Sequence, residues 1–157
     1  MIFTINLATL KQTKEFAKIL KSILKPGHVI TLRGDLGVGK TTLTRFLINA
    51  YFFEEQEVPS PSYTLVQTYQ TSTIQIYHFD LYRLKEYEEI FELGIEDALA
   101  GGVSIIEWPE LILHLLPEDR LDIELIANVV NDERRAIINA TDEFVTIFEN
   151  NYLTVVK

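Results

Sequence analysis

Gly34, Gly39, Lys40 and Thr41 fill the pattern G-x-x-x-x-G-K-[ST] without a mismatch, in the stretch Gly34-Asp35-Leu36-Gly37-Val38-Gly39-Lys40-Thr41. Each residue type at this spacing has a task in holding phosphate. Glycines reach positive φ at no steric cost, so successive backbone N–H groups can turn into one concavity. A helix that starts at the end of the loop adds the positive end of its dipole to the same place. Lys40 supplies a point charge for the β- and γ-phosphate oxygens of a nucleoside triphosphate. The Thr41 hydroxyl is a ligand for Mg2+, an ion that keeps several of its waters. Asp35 is open between two roles: a turn or capping residue, or a group acting on the nucleotide or on Mg2+ from within the loop.

A hydrolytic site of this kind needs a carboxylate at the end of a neighbouring strand, to hold the metal or to place water. Two residues compete. Glu107 ends Val103-Ser104-Ile105-Ile106, a continuous apolar run of the sort found in buried parallel strands. Asp80 ends Ile74-Gln75-Ile76-Tyr77-His78-Phe79, which alternates more and is expected nearer a sheet edge. Glu107 is the better metal ligand by this reasoning. Asp80 then orients water or the Mg2+ shell, or simply caps a turn. Arg83 is expected in an ion pair, the alternative being stabilisation of transition-state charge. Trp108 is either core or contact surface. His28, His78 and His114 lack metal-ligand spacing, so His78 reads as structural.

The elements that must place these groups follow from periodicity. Thr9 can cap a helix to about Leu24, with Leu10, Phe16, Ile19, Leu20, Ile23 and Leu24 at helical spacing. Lys11, Lys14, Lys18, Lys21 and Lys25 form a stripe on it. A solvated face is the expected reading of that stripe, and a docking surface for an acidic partner is the sharper one. Pro26-Gly27 ends the helix, and His28 to Leu32 reads as a short buried strand. The glycine loop therefore lies between a strand and a helix running from Thr41 to Tyr51, the context the motif needs. Further on, strands are expected at 63–69 and 73–79, helical turns at 85–91 and 95–99, and a strand at 103–106. A helix is expected at 108–115, with Pro109 in its first turn. A strand pair at 121–129 and 135–140 follows, then a helix capped by Thr141. Asn150 to Lys157 receives no assignment. The expected architecture is a single α/β domain over residues 1–157, with a mostly parallel central sheet flanked by helices and some antiparallel strands.

Composition narrows the class. The chain has 157 residues and 47% hydrophobic content, enough for one domain with a real core. It contains no cysteine, which excludes disulfides, zinc–thiolate sites and thiol catalysis. Residues 1–10 lack a signal pattern and no apolar run reaches membrane-span length, so a cytoplasmic location is expected. The net charge of −9 is uneven, at +6 for residues 1–50 and −15 for 51–157. Phosphate contacts need cations, so general nucleic-acid binding is not expected.

Five segments in order, Gly34–Thr42, Ser60–Val66, His78–Leu84, Leu93–Asp97 and Glu107–Glu110, give the chain a resemblance to the TsaE family, the small ATPase of bacterial tRNA threonylcarbamoyladenosine synthesis. The resemblance implies hydrolysis of ATP in support of a TsaD–TsaB complex, which modifies the adenosine 3′ of the anticodon; tRNA would be met only through that complex. It implies a loop contact of Asp35, Leu36, Gly37, Val38, Gly39, Lys40, Thr41 and Thr42 with ATP. It further implies Mg2+ held by Thr41 and Glu107, catalytic roles for Lys40, Asp80 and Glu107, and a switch-like loop at Ser60–Thr64. Thr13, and an arginine of the pair Arg134-Arg135, resemble positions near the nucleotide base. Where Ser62 stands, the family often has threonine.

The main alternative is a small-molecule kinase, which shares the loop but closes an arginine-rich lid; the six arginines here do not cluster. A GTP-binding switch is a second, but no Asn-Lys-x-Asp segment is present.

Overall fold

The computed structural model describes residues 1–151. In chain order the elements are β1 (Ile2–Asn6), α1 (Leu10–Ile23), β2 (Val29–Arg33), α2 (Lys40–Asn49), β3 (Val66–Gln70), β4 (Gln75–Asp80), α3 (Ile95–Gly101), β5 (Val103–Glu107), β6 (Leu121–Ala127), β7 (Arg134–Ala140) and α4 (Asp142–Asn151). Tight 3₁₀ turns at Tyr87–Leu93 and Glu110–Leu115 complete the description. The strands form one sheet in the order β1-β7-β6-β2-β5-β4-β3. Its middle, β6-β2-β5-β4, is parallel throughout. Both margins are antiparallel: β1 with β7, β7 with β6, and β3 with β4.

The parallel middle is where the sequence runs apolar. Val29, Ile30, Leu32, Val103, Ile105 and Ile106 are almost completely buried, because strands covered on both faces bury every side chain. On one face Phe16, Leu20, Leu43, Leu47, Phe144 and Phe148 join α1, α2 and α4 to the sheet. On the other, Val29, Phe79 and Ile106 pack with Ile90, Ile95 and Ile112.

Helix α1 starts as its residues dictate. Thr9 Oγ1 accepts from the Gln12 amide and Gln12 Oε1 accepts from the Thr9 amide, both at 3.1 Å, a closed capping box. The five lysines of its stripe are all exposed, as a solvated face requires. Among the described residues no helix is long and apolar enough to cross a membrane.

Four local expectations need correction. Strand β1 was not anticipated; only Ile5 in it is buried, too little to set up a visible alternation. Residues 63–65 form a turn rather than the start of β3, with Leu65 at φ 67° and its amide bonded to the Pro61 carbonyl. The expected helix at 85–91 is a 3₁₀ turn starting at Tyr87. The expected helix at 108–115 begins only at Glu110, because Trp108 takes φ 57° and breaks the path. Of the unassigned tail, Asn150 and Asn151 complete α4, and residues 152–157 lie outside the described residues.

Candidate functional site

Strand β2 ends at Arg33, and the chain turns back through the glycine loop into α2. Gly34, Gly37 and Gly39 have φ of 138°, 78° and 114°, values that side chains beyond glycine rarely adopt. Gly34 is also a close approach: a Cβ there would lie 2.5 Å from the Leu125 carbonyl oxygen. The first turn of α2 leaves its N–H groups without helical acceptors, so the loop ends on a set of backbone donors. Val38 is buried and anchors the loop, whereas Asp35 and Leu36 are exposed at its crest.

Lys40 is only 6% exposed. Its Nζ donates to the Gly34 carbonyl at 2.6 Å and the Asp35 carbonyl at 2.8 Å. The same ammonium lies 4.3 Å from the centroid of the Trp108 ring, a cation–π contact. Burial pulls its pKa below the ordinary lysine range, and the carboxylates of Glu107, Asp80, Asp35 and Glu110 oppose that pull. The side chain of Asp35 stays exposed; its defined contact is the backbone carbonyl that receives Lys40.

Strand order brings the acids to this loop. Strand β5 lies directly beside β2, and β4 beside β5, with Asp80 in register with Glu107. Glu107 is 1% exposed. Its Oε1 accepts a hydrogen bond from the Thr41 hydroxyl at 3.1 Å, and its Oε2 lies 3.1 Å from His78 Nε2. Asp80 Oδ1 accepts from the Tyr82 amide at 3.1 Å and Oδ2 from the Ser60 hydroxyl at 3.3 Å. Burial raises the Asp80 pKa above its ordinary value, and the Glu107 charge adds to this. The Tyr82 amide, His78 and the Ser60 hydroxyl work against it.

Thr41 and Glu107 thus present hard oxygen donors in contact with each other, the kind that magnesium takes. No group of three or more His, Cys, Asp or Glu that could hold a metal occurs among the described residues. A cation here would have to complete its shell with water or with oxygens of a ligand.

Beside the loop, Leu7, Thr9, Leu10, Thr13, Gly37, Val38, Gly39, Thr42, Leu125 and Arg134 line a cavity of about 130 Å³. Thr13 is buried, and its hydroxyl donates to the Thr9 carbonyl at 3.3 Å. The Arg134 side chain comes within 3.7 Å of where a Gly39 Cβ would stand, and its buried Nε has no hydrogen-bond partner. Thr13, Thr42 and Arg134, remote from each other in sequence, therefore share one wall next to the glycine loop.

A family model described as threonylcarbamoyl adenosine biosynthesis protein TsaE matches residues 7–137, which include the loop, both acids and Arg134. The chain belongs to the TsaE family. Among curated TsaE proteins, that of Rickettsia bellii is 46% identical over 134 residues, covering 85% of this chain and 91% of the relative. That of Bacillus subtilis is 37% identical over 131 residues, 83% of this chain and 80% of the relative. Both are titled tRNA threonylcarbamoyladenosine biosynthesis proteins. The crystal structure of Bacillus subtilis YdiB superposes with a TM-score of 0.76 at 30% identity, covering 96% of this chain and 93% of that one.

In this TsaE chain the sequence reading missed three partners. His78, read as structural, contacts Glu107; its position two residues before Asp80 on a strand, hence on the same face, was the available signal. Ser60 contacts Asp80 from the preceding loop. Trp108 covers Lys40 rather than serving only as core or surface. Arg83, expected in an ion pair, instead lies 4.6 Å over the Tyr63 ring, and none of the ion pairs among the described residues includes it. That contact ties the Ser60–Thr64 loop to the end of β4. His28 and His114 make ring contacts with Phe144 and Tyr87.

Proposed function

We propose that the protein is a cytoplasmic Mg2+-dependent ATPase that serves tRNA threonylcarbamoyladenosine synthesis by acting on a TsaD–TsaB complex. The observation that carries this reading is the Thr41–Glu107 contact of 3.1 Å at the mouth of the glycine loop, the two oxygen groups a triphosphate-bound Mg2+ would need. Family membership supplies the pathway.

The roles follow from position. The loop amides and Lys40 bind the phosphates, as a concave donor set at a helix start would. Thr41 and Glu107 hold Mg2+, which when bound neutralises charge on the transferring phosphoryl group. Asp80, beside Glu107 in register and fixed by the Tyr82 amide and Ser60, orients the attacking water. The cavity lined by Thr13, Thr42 and Arg134 receives the base or ribose. Of the arginines, Arg134 lies beside Gly39 on the wall of that cavity, and three others are engaged elsewhere. Arg120 pairs with Asp122, Arg83 lies on Tyr63, and Arg45 borders a separate pocket between α1 and α2. This arrangement supports transfer to water rather than to a small acceptor, and slow turnover without partners.

The test is ATP hydrolysis by the purified chain, alone and with TsaD and TsaB, beside a Lys40→Ala variant. Slow hydrolysis that rises with both partners and vanishes in the variant is expected. Unchanged turnover in Lys40→Ala, or phosphate delivered to a small acceptor faster than to water, would overturn the reading.

A further inference from the structure

His78 is completely buried, yet the proposed chemistry gives it no task. Its Nε2 sits 3.1 Å from Glu107 Oε2, while its Nδ1 is buried without a hydrogen-bond partner. The ring therefore has one polar engagement, and that is the carboxylate. A carboxylate only accepts, so the neutral imidazole must carry its proton on Nε2. The opposite tautomer would set two acceptors against each other and leave a buried N–H unpaired.

The contact fixes more than a distance. The Glu107 carboxylate is held on two sides, by Thr41 at Oε1 and by His78 at Oε2. The imidazole is itself held in β4, whose backbone pairs with both β3 and β5. From these contacts we infer that His78 is a positioning residue: it orients the Glu107 carboxylate for Mg2+ by donating from Nε2, and touches neither nucleotide nor water. Outer partners of this kind typically change metal affinity or activity about 10–100-fold when removed. The inference rests on the Mg2+–ATP reading above.

Two measurements on the full chain test it. Long-range proton–nitrogen spectra, with His78 assigned by its disappearance in a variant, should show the Nε2–H tautomer before any ligand is added. The Nδ1–H form would overturn the proposal without reference to activity. Next, binding of a fluorescent ATP analogue is titrated with Mg2+ in the parent, His78→Leu and His78→Gln. Leucine fills much of the space and removes the donor; glutamine restores an N–H near the position of Nε2. His78→Leu should need about 10–100-fold more Mg2+ for the same effect, with nucleotide affinity in chelator unchanged, and His78→Gln should recover most of the loss. An unaltered Mg2+ requirement in His78→Leu, or equal losses in both variants, would reduce His78 to a core residue. If the parent chain binds no ATP, the parent reading fails and this one with it, an outcome distinct from a failure of His78 alone.

Discussion

At the scale of single residues, the site is a small set of buried polar groups whose energies are set first by burial and then by one another. Glu107 touches Thr41 and His78, so on the proposed function its removal would take away a metal ligand while leaving the glycine loop intact. Glu107→Ala should lower Mg2+-dependent hydrolysis by about 10²–10³-fold, the several kcal/mol a metal contributes, with a much smaller loss of ATP affinity. The reverse pattern, affinity lost and turnover kept, would make Asp80 the main metal partner. Asp80 has its own signature. Its folded pKa is raised, chiefly by burial, so its contribution to stability is full below the unfolded carboxylate value and is lost as pH rises through the folded one. At neutral pH the ionised group is thus a burden. Asp80→Asn should hydrolyse ATP poorly yet melt at a higher temperature than the parent at neutral pH. The gain should shrink as pH falls toward about 4. Thermal melts across that range check it, and a gap independent of pH would refute the account.

At the scale of elements, the glycine loop works because β2, α2 and β6 leave it no other path. Gly34 lies against the Leu125 carbonyl of β6, so a methyl group there meets fixed backbone at 2.5 Å. Gly37, with positive φ but nothing within 4 Å of a built Cβ, would bear the dihedral strain alone. Each strained dihedral costs about 1–3 kcal/mol. Gly34→Ala should therefore lower the melting temperature more than Gly37→Ala and abolish ATP binding, whereas Gly37→Ala should mainly weaken it. Equal effects in calorimetry would mean that the approach to β6 does not govern the loop. Trp108 is the other local device. Its φ of 57° is unusual for a large residue and seats the ring beneath Lys40 at the end of the strand that carries Glu107. A helix beginning at residue 108, as expected from the sequence, could not have done this.

At the scale of the whole molecule, charge decides which partners are within reach. A net charge of −9, with eight of the fourteen Lys and Arg before residue 51, disfavours general binding of a polyanion. The exposed lysines of α1 lie near a pocket lined in part by Lys14, Lys18, Arg45, Phe46 and Phe53, on a molecule that is otherwise acidic. The isolated chain should bind tRNA no more tightly than about 100 µM at physiological salt, the weak end of non-specific binding. Filter retention or gel shift measures this. Tight binding by the chain alone would contradict a role exercised through protein partners.

The sequence by itself determined the glycine loop between a strand and a helix, the ends of β4 and β5 and most element positions. These depend on consecutive residues: glycines where φ is positive, an apolar run where a strand is buried, a capping threonine before a helix. It did not determine β1, whose single buried residue leaves too faint a pattern, or the turns at residues 63–65 and 108, where tertiary contacts override local preference. Only the tertiary structure decided that β5 and β6 flank β2. That order sets Glu107 against Thr41 across 66 residues, His78 against Glu107, and Arg134 against Gly39. Periodicity tells which face of a segment is buried, but not which segment will cover it. That choice belongs to packing among distant parts of the chain, and in this protein it gives His78 its partner.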